Sequence, residues 1–340
     1  MTAPRESLAR ILICRTDNIG DVLLILPLIG YLKNSFPGIT VDFLCRAYTA
    51  PIAMLCGNIN QVYLLEDVID ARSFFRSGSW SCVIFAHPDR RLAAAARQAA
   101  IPFRIGAVNR LFNWLSCNKL VNLRRVSSRL HEAQLNFKLL RPLGIVAEPS
   151  LPQIVPWFGL QTRPPAAPLP DLQPGGFHVI LHTKSNGNGR EWPIPNFLAL
   201  TSILQAQADI VFLLTGSSSE GDWLQQHAPA LLAQKNVRNL CGTLDLTALA
   251  TLITQADGLV ASGTGPLHLS AALGRPTLGL FPPIQSIDAT RWGALGVQAQ
   301  SLCAVASCNV CNDPARCHCM QLISPQQVAK VVSKWKDKID

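Results

Sequence analysis

Short apolar runs alternate with longer amphipathic stretches through the first half of the chain. The runs lie at residues 11–14, 41–44, 62–65 and 82–86. A regular alternation of such runs with helical patterns predicts a parallel sheet covered by helices. The apolar segment 22–32 is too short to cross a bilayer, so we interpret it as a buried helix that follows the first strand.

The same alternation begins again after a segment rich in proline and glycine. Residues 163–170 and 174–176 have the composition of an extended linker. Later apolar runs lie at 178–182, 210–214, 259–261 and 277–281. The second half of the chain therefore repeats the pattern of the first.

The predicted fold class is α/β, with two Rossmann-like, doubly wound domains. We assign an N-terminal domain to residues 1–160, a linker to 161–176 and a C-terminal domain to 177–340. An amphipathic stretch at 325–335 is expected to form the last helix, which could pack back on the N-terminal domain. Open parallel sheets bind ligands beyond the carboxyl ends of their strands, so we expect the two domains to face each other across a cleft.

Composition supports two hydrophobic cores and excludes several classes of protein. With 340 residues, 49% of them hydrophobic and 15% charged, the chain exceeds the usual size of one core and is not disordered. Residues 1–15 hold no long apolar segment, so we predict no secretory signal, no transmembrane segment and a cytoplasmic location. Six of the 11 cysteines are scattered along the chain, which fits reduced thiols.

The net charge of +9 is concentrated in the first half of the chain. Residues 1–160 hold 18 Lys/Arg against 10 Asp/Glu, whereas 161–340 hold 12 against 11. Within 90–141 there are eleven basic residues and one acid, Glu132. A solvated surface would account for scattered basic residues, but this imbalance favours an anionic partner. Because no nucleic-acid-binding motif is present, we expect an anionic lipid or a sugar phosphate and no nucleic acid.

The first candidate site follows the first predicted strand, at residues 15–21. Gly20 permits a tight turn, and Asp21 falls in the first turn of the next helix, where the helix dipole favours a carboxylate. One interpretation of Asp21 is an ordinary helix cap. The other is a general base that takes a proton from an acceptor hydroxyl.

The second candidate site is the turn between Ser262 and His268, which joins a predicted strand to a helix. Gly263 and Gly265 allow close backbone approach, and the following amides would point toward an anion. A tight strand-to-helix turn without a ligand is the alternative. A dinucleotide fingerprint requires a third glycine where His268 stands, so hydride transfer is disfavoured. His268 could be a packed helix residue or a phosphate or sugar contact.

Two further loops add polar groups to the second domain. Thr183, Lys184 and Arg190 lie in a glycine-rich loop, and their hydroxyl and cationic groups are suited to a diphosphate. Glu220 begins the next helix and could either cap its amides or accept hydrogen bonds from a ribose. We expect these loops and the glycine-rich turn to converge on one ligand.

The combination of these motifs resembles the ADP-heptose:lipopolysaccharide heptosyltransferase family, glycosyltransferase family nine, which has the GT-B fold. The resemblance covers nearly the whole chain and rests on motifs at 17–21, 131–136, 143–144, 190–193, 265–274, 291–293 and 319–328. It implies an inverting, metal-independent enzyme that transfers heptose from ADP-heptose to the lipopolysaccharide inner core. No cofactor is implied beyond the nucleotide sugar, which would bind to the C-terminal domain.

The resemblance also implies roles for individual residues. Asp21 matches the family's proposed general base. The residues that match donor-side positions are Thr183, Arg190, Glu220, Thr264, Gly265 and His268, to which we add Lys184 and Ser262 from the loops themselves. The acceptor would be an anionic glycolipid at the inner leaflet of the cytoplasmic membrane, where the protein would bind peripherally. Its predicted contacts are Asn18, Gly20, Arg124 and Arg125.

Two departures from the family pattern leave the substrate open. Many members read Asn-Asp-Ser-Gly where this chain has Ser-Gly-Thr-Gly at 262–265, so a carboxylate near the sugar or ribose is absent. Arg190 stands where lysine is frequent. A different nucleotide sugar or acceptor is therefore one alternative, and a nucleotide-sugar epimerase and a non-catalytic glycolipid-binding protein are two others.

A cysteine-rich segment lies near the end of the chain, at residues 303–319. Cys308 and Cys311 have the spacing of a metal knuckle, and Cys317 and Cys319 follow, with His318 as a further candidate ligand. One hypothesis is a structural zinc held by these four cysteines. Free thiols or a disulfide are the alternatives, and we predict no metal in the active site.

Overall fold

The computed structural model describes residues 9–125, 127–162, 164, 169–185, 187, 189–207, 209–311, 313 and 317–337. Contacts along the chain divide it into two compact units, Met1–Gln161 and Thr162–Asp340. The predicted linker at 161–176 begins at this division, and its residues 163 and 165–168 lie outside the described part.

The first unit is built on one parallel sheet with helices between its strands. Its strands are β1 (Arg10–Cys14), β2 (Thr40–Cys45), β3 (Gln61–Leu64), β4 (Cys82–Phe85), β5 (Phe103–Ala107) and β6 (Lys119–Val121). Its helices are α1 (Ile19–Ser35), α2 (Ala50–Met54), α3 (Ala71–Ser77), α4 (Arg90–Gln98), α5 (Leu111–Ser116), α6 (Glu132–Phe137) and α7 (Leu151–Ile154). The strand order is β3-β2-β1-β4-β5-β6.

Helix α1 is largely buried within this unit. Almost every apolar residue from Val22 to Leu32 is buried, which confirms the predicted buried helix. On its far side, Asn136 Nδ2 of α6 donates to the Leu24 carbonyl at 2.9 Å. At Gly30, a Cβ atom would lie 2.1 Å from the Trp157 carbonyl oxygen, so only glycine allows this approach. Among the described residues, no helix has the length and apolar character required to cross a membrane.

The second unit repeats this architecture. Its strands are β7 (Phe177–His182), β8 (Ile210–Thr215), β9 (Val237–Asn239), β10 (Gly258–Ser262), β11 (Thr277–Leu280) and β12 (Ala299–Leu302). Its helices are α8 (Ile194–Leu204), α9 (Ser218–His227), α10 (Pro229–Leu232), α11 (Leu246–Gln255), α12 (Gly265–Ala272), α13 (Ala289–Trp292) and α14 (Pro325–Lys336). The strand order is β12-β11-β10-β7-β8-β9, and all pairs are parallel.

Both sheets have the same topology. In each, the first strand is central and pairs with the second strand on one side and the fourth on the other. The order in which strands are added to the sheet therefore reverses between β1 and β4, and likewise between β7 and β10. Ligands of doubly wound proteins bind at such switch points, beyond the carboxyl ends of the two strands. The predicted α/β class with two Rossmann-like, doubly wound units is confirmed.

The last helix, α14, packs on the core of the second unit. It begins after Ser324, whose hydroxyl accepts a hydrogen bond from the Gln327 amide at 3.2 Å. Trp335 lies directly over Gly258, where a Cβ atom would be 2.4 Å from its ring. Lys336 Nζ donates to Asp209 at 2.7 Å. A contact between this helix and the N-terminal domain stays a prediction.

Candidate functional site

Charged side chains converge at the switch point of the first unit. Arg15 follows β1 directly, and its backbone amide donates to the Leu44 carbonyl of β2 at 2.9 Å. Its side chain is only 1% exposed. Asp17 and Asp21 come from the following loop and the first turn of α1, and His87 follows β4. The predicted site residue Asp21 thus belongs to a cluster drawn from both strands of the switch point.

The Arg15 guanidinium holds this cluster together. Its Nε atom pairs with Asp17 Oδ1 at 2.8 Å, and its Nη2 atom donates to Asp21 Oδ1. Its Nη1 atom donates to the Ala86 carbonyl at 3.3 Å. A buried guanidinium requires such partners, because burial removes it from water. The three contacts fix the orientation of Arg15 and, through it, of Asp21.

The two carboxyl groups beside Arg15 have pKa values shifted in opposite directions. Burial raises the pKa of Asp21; the charge of Arg15 opposes this shift, and the nearby charges of Asp17 and Glu132 reinforce it. Burial also acts to raise the pKa of Asp17, but the hydrogen bond with His87, at 3.2 Å, and the charge of Arg15 outweigh it and lower the pKa. Asp21 is therefore a stronger base than an ordinary aspartate, as general-base chemistry requires.

The predicted acceptor contacts around this cluster divide into two groups. Asn18 precedes α1, and its Oδ1 atom accepts from the Tyr48 hydroxyl at 3.2 Å, while Gly20 lies in the first turn. Arg124 is exposed. Arg125, in contrast, pairs at 2.8 Å with Glu132, whose carboxylate is buried. Asn18, Gly20 and Asp21 are thus neighbours, whereas Arg125 compensates a buried charge.

Part of the predicted basic surface is engaged within the protein. Arg91 Nη1 and Arg97 Nη1 each donate to a backbone carbonyl at 2.8 Å. Arg104 Nε donates to the Ser116 carbonyl at 2.8 Å, and Arg141 pairs with Glu148. The run at 90–141 therefore provides both structural cations and exposed ones, the latter including Arg110, Arg124 and Arg129.

Two loops meet at the switch point of the second unit. The loop after β7 approaches the turn after β10 so closely that a Cβ atom at Gly189 would lie 3.0 Å from the Gly263 carbonyl oxygen. Ser262 Oγ accepts a hydrogen bond from the Trp192 amide at 3.1 Å. The predicted site residue Ser262 therefore joins these two loops.

Two buried hydroxyl groups at this switch point have no hydrogen-bond partner among the described residues. Thr183, after β7, is 2% exposed, and Thr264, after β10, is 7% exposed. Neither Oγ1 atom makes a hydrogen bond to any described residue, and Thr264 does not cap α12 although it stands at the N-cap position. Buried hydroxyls are normally paired, so these two indicate a binding site for a polar ligand. The ligand would lie at the N-terminus of α12, beside Gly265, where an anion is favoured.

The other predicted donor-binding residues have partners within the second unit. Lys184 Nζ pairs with Glu191 at 2.6 Å and lies 3.7 Å from the centre of the Trp223 ring. Arg190 Nη2 donates to the Cys311 carbonyl at 2.9 Å. Glu220 caps the start of α9, since its Oε2 atom accepts from the Ser217 amide at 2.7 Å. Ribose binding by Glu220 stays a prediction.

The buried His268 lies in α12, with its ring centre 6.4 Å from that of Trp292. The roles of Lys184, Arg190, Glu220 and His268 in ligand binding stay predictions.

Sequence reasoning missed the other members of the cluster around Asp21. Arg15, Asp17, Tyr48 and His87 were not predicted as site residues, although Arg15 and Asp17 lie in the loop that was singled out. A charged residue placed directly after a fully apolar strand was the available signal for Arg15. His87 gave none, because its contact with Asp17 joins residues 70 positions apart.

Among the described residues, four cysteines near the end of the chain have the arrangement of a metal site. The Sγ atoms of Cys308, Cys311, Cys317 and Cys319 all lie within 4.8 Å of one another. His318 is not part of this group.

Comparison with known proteins identifies a family. The model of glycosyltransferase family 9 (heptosyltransferase) matches residues 76–318. A protein of Haemophilus influenzae is 25% identical over 297 residues, or 83% of this chain and 85% of that protein. It carries a provisional name as a glycosyltransferase. Lipopolysaccharide heptosyltransferase 1 of Pseudomonas aeruginosa is 24% identical over 296 residues, or 81% and 79% of the two chains.

Two solved structures are similar over nearly their whole length. A family 9 glycosyltransferase from Veillonella parvula has a TM-score of 0.76, with 16% identity and 98% of each chain covered. The Escherichia coli heptosyltransferase WaaC, solved with ADP, has a TM-score of 0.71, with 19% identity and coverage of 96% of this chain and 99% of that one. At these identities the likeness concerns the fold, and it confirms the predicted GT-B fold class.

The opposite pKa shifts of Asp17 and Asp21 predict opposite effects of removing each charge. Ionised Asp17 stabilises the fold above its unfolded-state pKa, and this contribution is lost as the pH falls through its lowered folded-state pKa. Ionisation of Asp21 instead costs stability as the pH rises through its raised pKa. At neutral pH, Asp17→Asn should lower the free energy of unfolding by roughly 1–3 kcal/mol, whereas Asp21→Asn should leave it unchanged or raise it.

Denaturant unfolding of both variants from acid to neutral pH measures this difference. We expect the Asp17→Asn deficit to shrink as the solution is acidified. If Asp21→Asn is destabilised as much as Asp17→Asn, Asp21 is a structural ion-pair partner and not a base held in a raised-pKa environment.

Proposed function

Since the chain belongs to glycosyltransferase family 9 and is a glycosyltransferase, we propose that it transfers heptose from ADP-heptose to a hydroxyl of the lipopolysaccharide inner core. The single observation that carries the donor half of this proposal is that the buried hydroxyls of Thr183 and Thr264 have no partner in the described part of the chain. Both lie at the switch point of the second unit, where doubly wound proteins bind nucleotides.

The donor would bind with its diphosphate at the N-terminus of α12. Phosphate oxygens only accept hydrogen bonds, so they would take protons offered by the two threonine hydroxyls and by backbone amides at the start of the helix. The positively charged Arg190 guanidinium would lie beside the leaving diphosphate and stabilise its negative charge. WaaC was solved with ADP, which supports a nucleoside diphosphate as the ligand here. Because position 263 is glycine, it has no side chain to contact the sugar.

Asp21 would act as the general base. In the proposed reaction, the acceptor hydroxyl gives its proton to the Asp21 carboxylate while its oxygen attacks the anomeric carbon, and the bond from that carbon to ADP breaks. One displacement at the anomeric carbon inverts its configuration. The raised pKa of Asp21, caused first by burial, makes it a better proton acceptor than an ordinary aspartate. Arg15 is a positioning residue, since it holds Asp21 from the side.

Family membership favours this function over the alternatives from other classes. A nucleotide-sugar epimerase would not require an acceptor dock, and a non-catalytic glycolipid-binding protein would not require a base with a raised pKa. Transfer of another nucleotide-activated sugar, or to another acceptor, is the alternative that stays within the family. The absent carboxylate at Gly263 is the observation that favours it.

We also propose that the first unit binds peripherally to an anionic membrane surface through helix α5. Three of its six residues are large, apolar and exposed, namely Leu111 at 87%, Trp114 at 60% and Leu115 at 72%. Arg110 precedes the helix, and Arg97 and Arg104 donate to the carbonyls of Leu115 and Ser116. Exposed leucine and tryptophan surrounded by arginine are typical of segments that lie in the interface of an anionic bilayer. A lipid-linked acceptor at the cytosolic face would be reached from such a position.

The donor site is tested by removing the two hydroxyls without changing side-chain volume. Thr183→Val and Thr264→Val should each weaken ADP binding about tenfold, because each loses a hydrogen bond to a phosphate. Neither should lower the unfolding temperature, since the hydroxyls have no partner within the described protein. Isothermal titration calorimetry with ADP and thermal unfolding measure the two effects.

Thr201→Val is the matched control for this experiment. Thr201 is also buried, but its hydroxyl donates to the Leu198 carbonyl at 2.9 Å in α8. This variant should lose some stability and bind ADP normally. Undiminished ADP binding by the Thr183 and Thr264 variants would contradict the proposed donor site, and preference for UDP or GDP over ADP would redirect the proposal to another sugar nucleotide.

The membrane surface is tested by co-sedimentation with lipid vesicles. Replacing Leu111, Trp114 and Leu115 together by serine should reduce binding to phosphatidylglycerol vesicles at least about tenfold, because the apolar area is lost. Binding of the unaltered protein should be weaker to phosphatidylcholine vesicles and should fall with added salt. A double Val297→Ser, Leu322→Ser variant, which removes exposed apolar residues of the second unit, is the control. Equal loss in both variants would contradict a role for α5.

A further inference from the structure

The four cysteines near the end of the chain form a geometrically specific cluster. Cys311 Sγ lies 3.6 Å from Cys317 Sγ and 3.6 Å from Cys319 Sγ, and all four sulfur atoms lie within 4.8 Å of one another. A disulfide bond would require about 2 Å. Four sulfur atoms placed at about 2.3 Å around a zinc ion form a tetrahedron with edges of about 3.8 Å. The observed spacing therefore matches a tetrathiolate site and not a pair of disulfides.

The backbone around the cluster also has the form of a metal knuckle. Cys308 and Cys311 are separated by two residues, and the Val310 amide donates to the Cys308 sulfur. The Asp313 amide donates to the Val310 carbonyl at 3.0 Å, and the Cys317 amide to the Asp313 carbonyl at 3.0 Å. These two hydrogen bonds link the described residues between the first pair of cysteines and the second. Amide donors to sulfur favour the thiolate form that binds metals.

The clustering is confined to this loop. The other buried cysteines, which are Cys14, Cys45, Cys56, Cys82 and Cys117, lie in the first unit, mostly among the apolar side chains of its core. Single cysteines in such positions behave as small hydrophobic residues. Cys303 belongs to the same segment as the cluster, yet it is exposed and its sulfur contacts the Val305 carbonyl at 3.0 Å. The arrangement of the four is therefore not a general consequence of a cysteine-rich composition.

We propose that Cys308, Cys311, Cys317 and Cys319 bind one tetrahedral transition-metal ion, zinc or iron, through four thiolates. Each thiol releases its proton to solvent as its sulfur–metal bond forms. Sites with four sulfur ligands suit these two metals. Because the protein supplies all four ligands, no coordination position is open for substrate or water, and the ion has a structural role.

The metal loop is tied to the segment that leads from the proposed donor site. The Cys311 carbonyl accepts from Arg190 Nη2 at 2.9 Å. The Ile323 carbonyl accepts from Trp192 Nε1 at 2.9 Å and from Asn196 Nδ2 at 3.2 Å. The cluster residue Cys311 and Ile323, which follows the cluster, thus anchor residues 190–196. A metal that fixes Cys311 also fixes the position of the Arg190 guanidinium.

Metal content is the direct test of this site. Protein purified without chelators should contain one zinc or iron per chain by inductively coupled plasma mass spectrometry. Sulfur-to-iron charge-transfer absorption in the visible range would identify iron, and its absence with stoichiometric zinc would identify zinc. Cys308→Ser and Cys317→Ser, at the two half-buried positions, should lose most of the metal, whereas Cys303→Ser should retain it.

A second measurement covers variants that fold poorly. Co²⁺ added to chelator-treated unaltered protein should give the visible absorption of tetrahedral cobalt with thiolate ligands, and Cys303→Ser should give the same spectrum. Chelator treatment should also lower the unfolding temperature. Unaltered protein that holds no stoichiometric metal and gives no cobalt–thiolate spectrum would overturn the proposal, as would equal metal loss from Cys303→Ser. These readouts do not depend on ADP binding or on sugar transfer.

Discussion

The charged cluster of the first unit depends on the contacts of the buried Arg15 guanidinium. A cation held at 1% exposure is stable only if its charge and its donors are matched, and here Asp17, Asp21 and the Ala86 carbonyl match them. These partners come from the loop after β1, the start of α1 and the end of β4. Arg15 therefore holds the two sides of a topological switch point together. It also places two carboxyl groups in unequal surroundings, which is how proteins separate the roles of similar acids.

The second unit has the same topology but different side chains at its switch point. Its switch point, between β7 and β10, has two hydroxyls without a partner among the described residues and the N-terminus of α12, where the first unit has carboxylates. Cationic side chains nearby are held by Glu191 and by the Cys311 carbonyl. One unit thus has the groups to accept a proton, and the other has the groups to bind an anion. A single strand order supports both, because the chemistry lies in the loops and not in the sheet.

The sequence predicted the central strands because they are buried on both faces and form continuous apolar runs. Edge strands such as β6 and β12 were missed, since they are short and only partly buried. Asp21, Thr183 and Thr264 could be found from their positions after strands. The partners of Lys184 and Arg125 could not, because ion pairs with Glu191 and Glu132 depend on how loops fold locally. The cysteine spacing suggested a metal, but only the folded loop brings Cys317 and Cys319 to the first pair.

Asp21 is proposed to be the base of a sugar transfer. The most direct measurement is the transfer rate of Asp21→Asn with ADP-heptose and a heptose-deficient lipopolysaccharide core, together with its affinity for ADP. We expect the rate to fall by about 10²–10⁴-fold while ADP binds as tightly as to the unaltered protein. An Asp21→Asn variant that transfers heptose at the rate of the unaltered protein would contradict the role of Asp21 as the base.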